Sequence, residues 1–217
     1  ENKKIKYIIL NLFQKKFHAL KLILVISNKL KGELKNYFKK KVTIIVKKNN
    51  FLPHYRLNPI NDFNSKKKIK LIYLSNISKN KGISDLCVTL SKKKYTTFCD
   101  LDIFGKIIDD FSKDFFKDFF KKNKIKNITL KGFLKNSQKK FDILRQYDAL
   151  ILPSRNEGDP ICILEAISLG LPVLSYDVGY ISETLGKNYD LYLDKNSLAK
   201  IFYKLKNGKY RKKISLY

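Results

Sequence analysis

Two carboxylates, Glu157 and Glu165, stand eight residues apart in the segment EGDPICILEA, across what reads as a strand-to-helix turn. Glu157 falls in the turn. Glu165 falls on an otherwise apolar helix, where a charge is costly unless something pairs with it or uses it. Gly158 and Asp159 make the turn, and Pro160 suits the first helical position, where a missing N–H costs nothing. The N–H groups of Ile161 and its neighbours then point out of the helix start. With the helix dipole they form a site for phosphate or sugar oxygens. Helical side chains lean toward the N-terminus, so the Glu165 carboxylate approaches the same mouth. One use for it is to accept two hydrogen bonds from a ribose diol, while Glu157 takes hydroxyls of a hexose. The plainer reading makes Glu165 a solvent-facing residue between Ile161 and Leu169, and Glu157 an ordinary loop acid.

Lys81 is the nearest cation that follows a strand-like run and precedes a Gly and a helix-like run. A departing diphosphate gains negative charge and needs such a cation. Gly105 and Gly132 close two other strand-like runs and would allow close backbone approach. The remaining candidates lack companions. His18 and His54 have no acid or Cys at useful spacing, and Asp100, Asp102, Asp109 and Asp110 have no metal-ligand partners. Cys87, Cys99 and Cys162 form no CxxC or Cys/His pattern and read as reduced, mostly buried thiols of a cytosolic protein. No GxGxxG, P-loop or GxSxG pattern occurs.

Alternating elements must position these residues. The patterning predicts a helix over 5–20, a strand over 21–27, a helix over 28–40 and a strand over 42–46. Residues 48–68, with Pro53, Pro59 and several Asn, read as a linker. Then follow strand 69–75, helix 83–93, strand 97–104, and a helix over 109–122 with Phe111, Phe115, Phe119 and Phe120 mainly on one face. Strand 127–131, helix 138–146, strand 148–152, helix 160–169, strand 171–176 and helix 196–206 complete the series. This order predicts an α/β fold: a Rossmann-like parallel sheet with helices on both faces (66–217), preceded by a partial second α/β domain and linker (1–58). Ligands bind such sheets beyond the carboxyl ends of the strands, so the residues just after the strands are the ones to watch.

The 217-residue chain carries a net charge of +27. Arg occurs only at 56, 145, 155 and 211, so the excess is nearly all Lys, which cannot read bases bidentately. Lys also rises with Asn, Ile, Phe and Tyr, as AT-rich codons would dictate. The charge therefore argues little for specific nucleic-acid binding. From Asp148 through Gly186 there are six acids and one base, so the lysine excess avoids the carboxylate pair. The chain has no Met and begins with Glu, and it reads as a piece of a longer or processed protein. Apolar runs such as LILVI are too short to span a bilayer, and no signal peptide is visible.

These residues resemble family 4 ("group 1") glycosyltransferases of the GT-B fold. LIYLSNISKNKG is similar to the first donor-domain strand and its Lys-Gly loop, DIFGK to the second strand, and NITLKGF to the third. YDALILPSRNEGDPICILEAISLGLPVLSYDVGYISE resembles the family's hallmark, with Glu157 and Glu165 as its E-x7-E signature. Residues 21–53 resemble the end of the acceptor domain. The resemblance implies metal-independent transfer of a hexose from a nucleotide-diphosphate sugar, with retention, and no further cofactor. It implies Glu157 and Lys81 as catalytic residues, Glu157 at the hexose and Lys81 at the diphosphate. It implies Glu165 at the ribose, the backbone of Gly158, Asp159, Pro160 and Ile161 at sugar and phosphates, and Phe133 or Leu134 near the base. Ser75, Asn76 and Gly105 line the donor site by the same analogy. Ser75-Asn76 departs from the family's usual Gly-Arg, so Lys81 acts alone or borrows Arg155. Gly179-Tyr180 departs from Gly-Gly, with Glu183 kept.

Such a chain is expected to bind a nucleotide-sugar donor and a saccharide or lipid-linked acceptor of bacterial surface polysaccharide synthesis. It would work in the cytoplasm, with peripheral contact to the anionic inner face of the membrane, and a fragment of it alone would be inactive. Two alternatives stand beside this reading: a basic polyanion-binding module without activity, and a nucleotide-sugar epimerase of the same fold.

Overall fold

The computed structural model describes residues 21–38, 42–49, 68–122, 125–134, 137–194 and 198–206. The predicted helix over 5–20 and most of the predicted linker lie outside them. The chain divides into two compact units, 1–49 and 50–217.

In the first unit, β1 (Leu22–Val25) and β2 (Thr43–Val46) pair in parallel through α1 (Asn28–Phe38). Ser27 starts α1: its hydroxyl accepts the Leu30 N–H at 3.0 Å, filling one orphan donor of the first turn. Val25, Phe38 and Ile44 form a small core. This is the β-α-β element that the sequence predicts; the last two residues of the predicted helix, 39–40, lie outside the described residues.

The second unit holds a five-stranded parallel sheet in the order β5-β4-β3-β6-β7. Its strands are β3 (Ile69–Leu74), β4 (Cys99–Phe104), β5 (Ile128–Gly132), β6 (Ala149–Leu152) and β7 (Val173–Ser175). Their connections carry α2 (Ile83–Leu90), α3 (Lys93–Thr96), α4 (Asp110–Lys122), α5 (Ser137–Leu144) and α6 (Ile161–Ser168). Two further helices follow β7: α7 (Ile181–Leu185) and α8 (Leu198–Lys206). The chain steps outward from β3 through β4 to β5, then returns to β6 on the other side. With right-handed crossovers this reversal puts helices on both faces of the sheet. Strands buried on both faces need apolar residues throughout. Accordingly all four residues of β6, ALIL, are buried, and Leu71, Ile72 and Tyr73 of β3 are fully enclosed. Asp148 pins the register where β6 enters: its carboxylate accepts the Lys70 N–H at 2.8 Å, and its own N–H donates to the Lys70 carbonyl at 2.8 Å.

Several boundaries differ from the sequence reading. The helix predicted over 83–93 breaks at Ser91 and Lys92 into α2 and α3, and β4 starts at Cys99 rather than 97. In α4 the buried line is Ser112, Phe116 and Phe119, while Phe111 is exposed. Positions i, i+4 and i+7 track the face turned to the sheet, and Phe111 falls more than a quarter of a turn away from it. Phe111 instead lies under the Lys79 ammonium, 5.0 Å from the ring centre. α7, too short to show a period, is absent from the sequence reading.

Leu150 lies in the middle of β6 with β3 and β7 on either side. Leu150→Ala should lower stability by about 2–5 kcal/mol in urea unfolding, the usual cost of a large-to-small change in a close-packed core.

Candidate functional site

The strand order reverses between β3 and β6, so a crevice opens beyond their carboxyl ends. The loops that follow these two strands are locked together there. The Tyr73 hydroxyl, deep in β3, donates to the Asn76 carbonyl at 2.6 Å, and burial pushes this phenol well above its ordinary pKa. Ile77 bridges to Ile107 after β4, its N–H donating to the Lys106 carbonyl at 2.8 Å. A 3-10 turn, Lys79–Lys81, then ends at Gly82. Gly82 has φ +66°, and a Cβ there would stand 2.1 Å from the Pro153 carbonyl oxygen, so only glycine lets this turn lie on the end of β6. The Arg155 N–H completes the lock by donating to the Asn80 carbonyl at 3.0 Å.

The lock delivers Lys81 to Glu157. Its ammonium donates to Glu157 Oε1 at 2.7 Å, with the two side chains 24% and 7% exposed. Glu157 is held from below as well. Gly179, at φ +61°, packs so tightly on it that a Cβ would meet the Glu157 carbonyl oxygen at 1.7 Å. Glu165, at the fifth position of α6, is only 5% exposed, which removes the solvent-facing reading. Its Oε1 accepts from Lys140 Nζ at 2.7 Å, and this pair has the same exposures as the first. Two part-buried lysine–glutamate pairs thus flank the start of α6, together neutral. The charge of a buried carboxylate demands such a partner.

Pro160 proves to be the N-cap of α6 rather than its first helical residue: at ψ 117° it is still extended, and no side chain caps the helix. Ile161, exposed, stands at that mouth. Gly158 precedes it on the surface, and Asp159 accepts a long hydrogen bond of 3.4 Å from the Thr184 hydroxyl of α7. Ser75 and exposed Asn76 follow β3, and Gly105 follows β4, its N–H donating to the Gly132 carbonyl at 2.9 Å. Gly105 makes the close approach that the sequence predicts, toward the Ser75 carbonyl. At Gly132 the space where a Cβ would stand is open, and glycine there serves a positive φ of 81°. Phe133, 62% exposed, and half-buried Leu134 continue the carboxyl edge beyond β5. Arg155 does not turn to Lys81; its guanidinium pairs with Asp85 of α2.

Sequence reasoning missed Lys140, Tyr73 and Thr184. Lys140 had one faint signal, a charge four residues before Leu144 on the buried stripe of α5. Among the described residues no group of three His, Cys, Asp or Glu could hold a metal ion, and no helix is long and apolar enough to cross a membrane.

A parallel sheet whose strand order reverses between β3 and β6, with helices in its connections, defines a doubly wound α/β domain. The sequence pattern of the family described as "Glycosyl transferases group 1" matches residues 58–215, and the chain belongs to that family. Over 74 residues it is 35% identical to TuaC of Bacillus subtilis (strain 168), a glycosyltransferase assigned to teichuronic acid biosynthesis. That stretch is 32% of this chain and 19% of TuaC. Among solved structures, a glycosyltransferase from Rickettsia africae ESF-5 superposes with a TM-score of 0.70 at 19% identity, over 94% of this chain and 61% of that one. A point mutant of S. aureus TarM, solved with fondaparinux, alpha-GlcNAc-glycerol and UDP, gives 0.68 at 21%, over 88% and 39%. The pneumococcal O-GlcNAc transferase GtfA with UDP and GlcNAc gives 0.59 at 23%, over 93% and 39%. These likenesses show the GT-B glycosyltransferase fold. The chain spans less than two thirds of each relative.

Cys162 lies on α6 beside both carboxylates, and burial pushes its thiol up to about 12; burial does the same for Cys87 and Cys99. A raised folded pKa contributes stability that is present below the unfolded value, about 8.5, and lost as pH rises toward 12. Iodoacetamide at pH 8 should therefore leave all three thiols of the folded chain largely unmodified and label them readily in urea. The urea midpoint should drop as the pH is raised from about 8.5 to about 10.

Proposed function

We propose that this chain is the donor-binding half of a retaining glycosyltransferase of family 4, taking a hexose from a nucleotide-diphosphate sugar without a metal ion or further cofactor. The observation that carries the reading is the pair of buried, lysine-bound glutamates on either side of an uncapped helix start. Each polar group of the donor has a counterpart there. Glu157 suits the hexose hydroxyls, Glu165 the ribose diol, and exposed Phe133 with Leu134 the base. The N–H groups at the start of α6 and the Lys81 ammonium suit the diphosphate, on which charge grows as the bond to the sugar breaks. Ser75, Asn76 and Gly105 close the wall between β3 and β4.

Lys81 starts on Glu157, so donor phosphates compete with that carboxylate for the ammonium. Arg155 pairs with Asp85 at the surface, and in this reading Lys81 acts alone on the diphosphate. In this reading the acceptor lies on a chain segment beyond the donor unit, and the donor unit alone binds but does not transfer. The whole enzyme works on bacterial surface polysaccharide, as the relation to TuaC suggests, in the cytoplasm against lipid-linked acceptors. The lysine-rich surface suits contact with anionic lipid. Family membership favours transfer over both a polyanion-binding module and an epimerase.

Calorimetry with uridine and guanosine diphosphates should show binding of at least one by the 217-residue chain. Glu165→Ala should weaken it roughly 10–100-fold, the worth of hydrogen bonds to a charged acceptor. Unchanged affinity would remove the ribose role. Sedimentation with anionic vesicles, compared with neutral ones, tests the membrane contact; equal recovery would count against it.

A further inference from the structure

We propose that Lys140 is a positioning residue for nucleotide recognition: it fixes the Glu165 carboxylate so that ribose hydroxyls are read through it. The inference rests on the donor-site reading and extends it to a residue on a different helix.

Three observations carry it. Glu165 sits on the apolar helix α6 with its side chain 7% exposed, and Lys140 Nζ bonds one oxygen, Oε1, at 2.7 Å. The ion pair is made through Oε1, not Oε2. Lys140 thus orients the carboxylate without consuming it, because a carboxylate has about four lone-pair sites and the ammonium takes one. The third observation is origin. Lys140 belongs to α5, the element that follows the exposed Phe133–Leu134 edge, whereas Glu165 belongs to α6. The ion pair therefore ties the helix behind the base-side edge to the residue on the ribose side. A rotatable carboxylate loses selectivity because it reorients to water; one clamped at Oε1 presents one acceptor edge in a fixed direction. Lys81 does not serve this end, since it bonds Glu157.

The test compares uridine and guanosine diphosphates with their 2′,3′-dideoxy counterparts by calorimetry on the full 217-residue chain. The wild type should prefer the ribonucleotide by about tenfold or more, as expected for hydrogen bonds to an ionised acceptor. In Lys140→Met that preference should shrink to about threefold or less, with affinity for the dideoxy compound nearly unchanged, because only the hydroxyl-reading part is lost. Lys140→Arg, which keeps the cation, should retain most of the preference. If Lys140→Met leaves an uncompensated carboxylate and does not fold, Lys140→Ser, which lets water reach and solvate the carboxylate while leaving it unclamped, takes its place. It too should lose the preference.

A folded variant that keeps the full preference overturns the proposal. So does a loss of affinity equal for both compounds, which would mark a merely structural lysine. A wild type that binds the two compounds equally refutes the ribose role of Glu165. A wild type that binds neither nucleotide refutes the donor-site reading itself, and the proposal with it.

Discussion

A carboxylate withdrawn from water needs a cation beside it, and in this protein that requirement is met twice around the start of α6. Glu157 and Glu165 are each shielded from water and each bonded by one lysine. Removing either lysine would strand a buried charge, while replacing a whole pair by apolar residues would cost the fold little. The pairs are therefore poor devices for stability. The surrounding architecture brings these four side chains to one place. The reversal of strand order opens the crevice, the turn at Gly82 lays one loop on the next strand end, and Gly179 supports the Glu157 backbone.

Charge shows how a biased composition can hide function. The chain carries a large lysine excess, so any single lysine reads as solvation. Two of them are nevertheless drawn inward by acids, while the segment that holds the acids is itself nearly free of bases. Local imbalance, not the global sum, marks the site.

The strand-helix alternation was legible because the strands are near-continuous apolar runs and the turns carry Gly, Pro and Asn. Glu157 and Glu165 were legible for a related reason, as acids in a setting that does not favour them. Lys140 was not, because its partner is 25 residues away on another helix and no local rule connects them. The exposure of Phe111 was misjudged because four closely spaced phenylalanines fit more than one helical face, and the sheet chooses among them. The break between α2 and α3 escaped notice because Ser91 and Lys92 are weak breakers in a polar run. The hydroxyl of Tyr73 was invisible for the same reason as Lys140: its task is set by the path of the backbone, here the carbonyl of Asn76.

The two ion pairs differ in how far apart their members lie along the chain. Lys140 and Glu165 are separated by 25 residues, Lys81 and Glu157 by 76. The second separation spans the whole route out to β5 and back across β3. A chain emerging from its N-terminus therefore has Lys81 long before it has anything for Lys81 to hold. The pair exists only where β6 lies beside β3, so Lys81–Glu157 is a long-range contact that neither strand's loop can make alone.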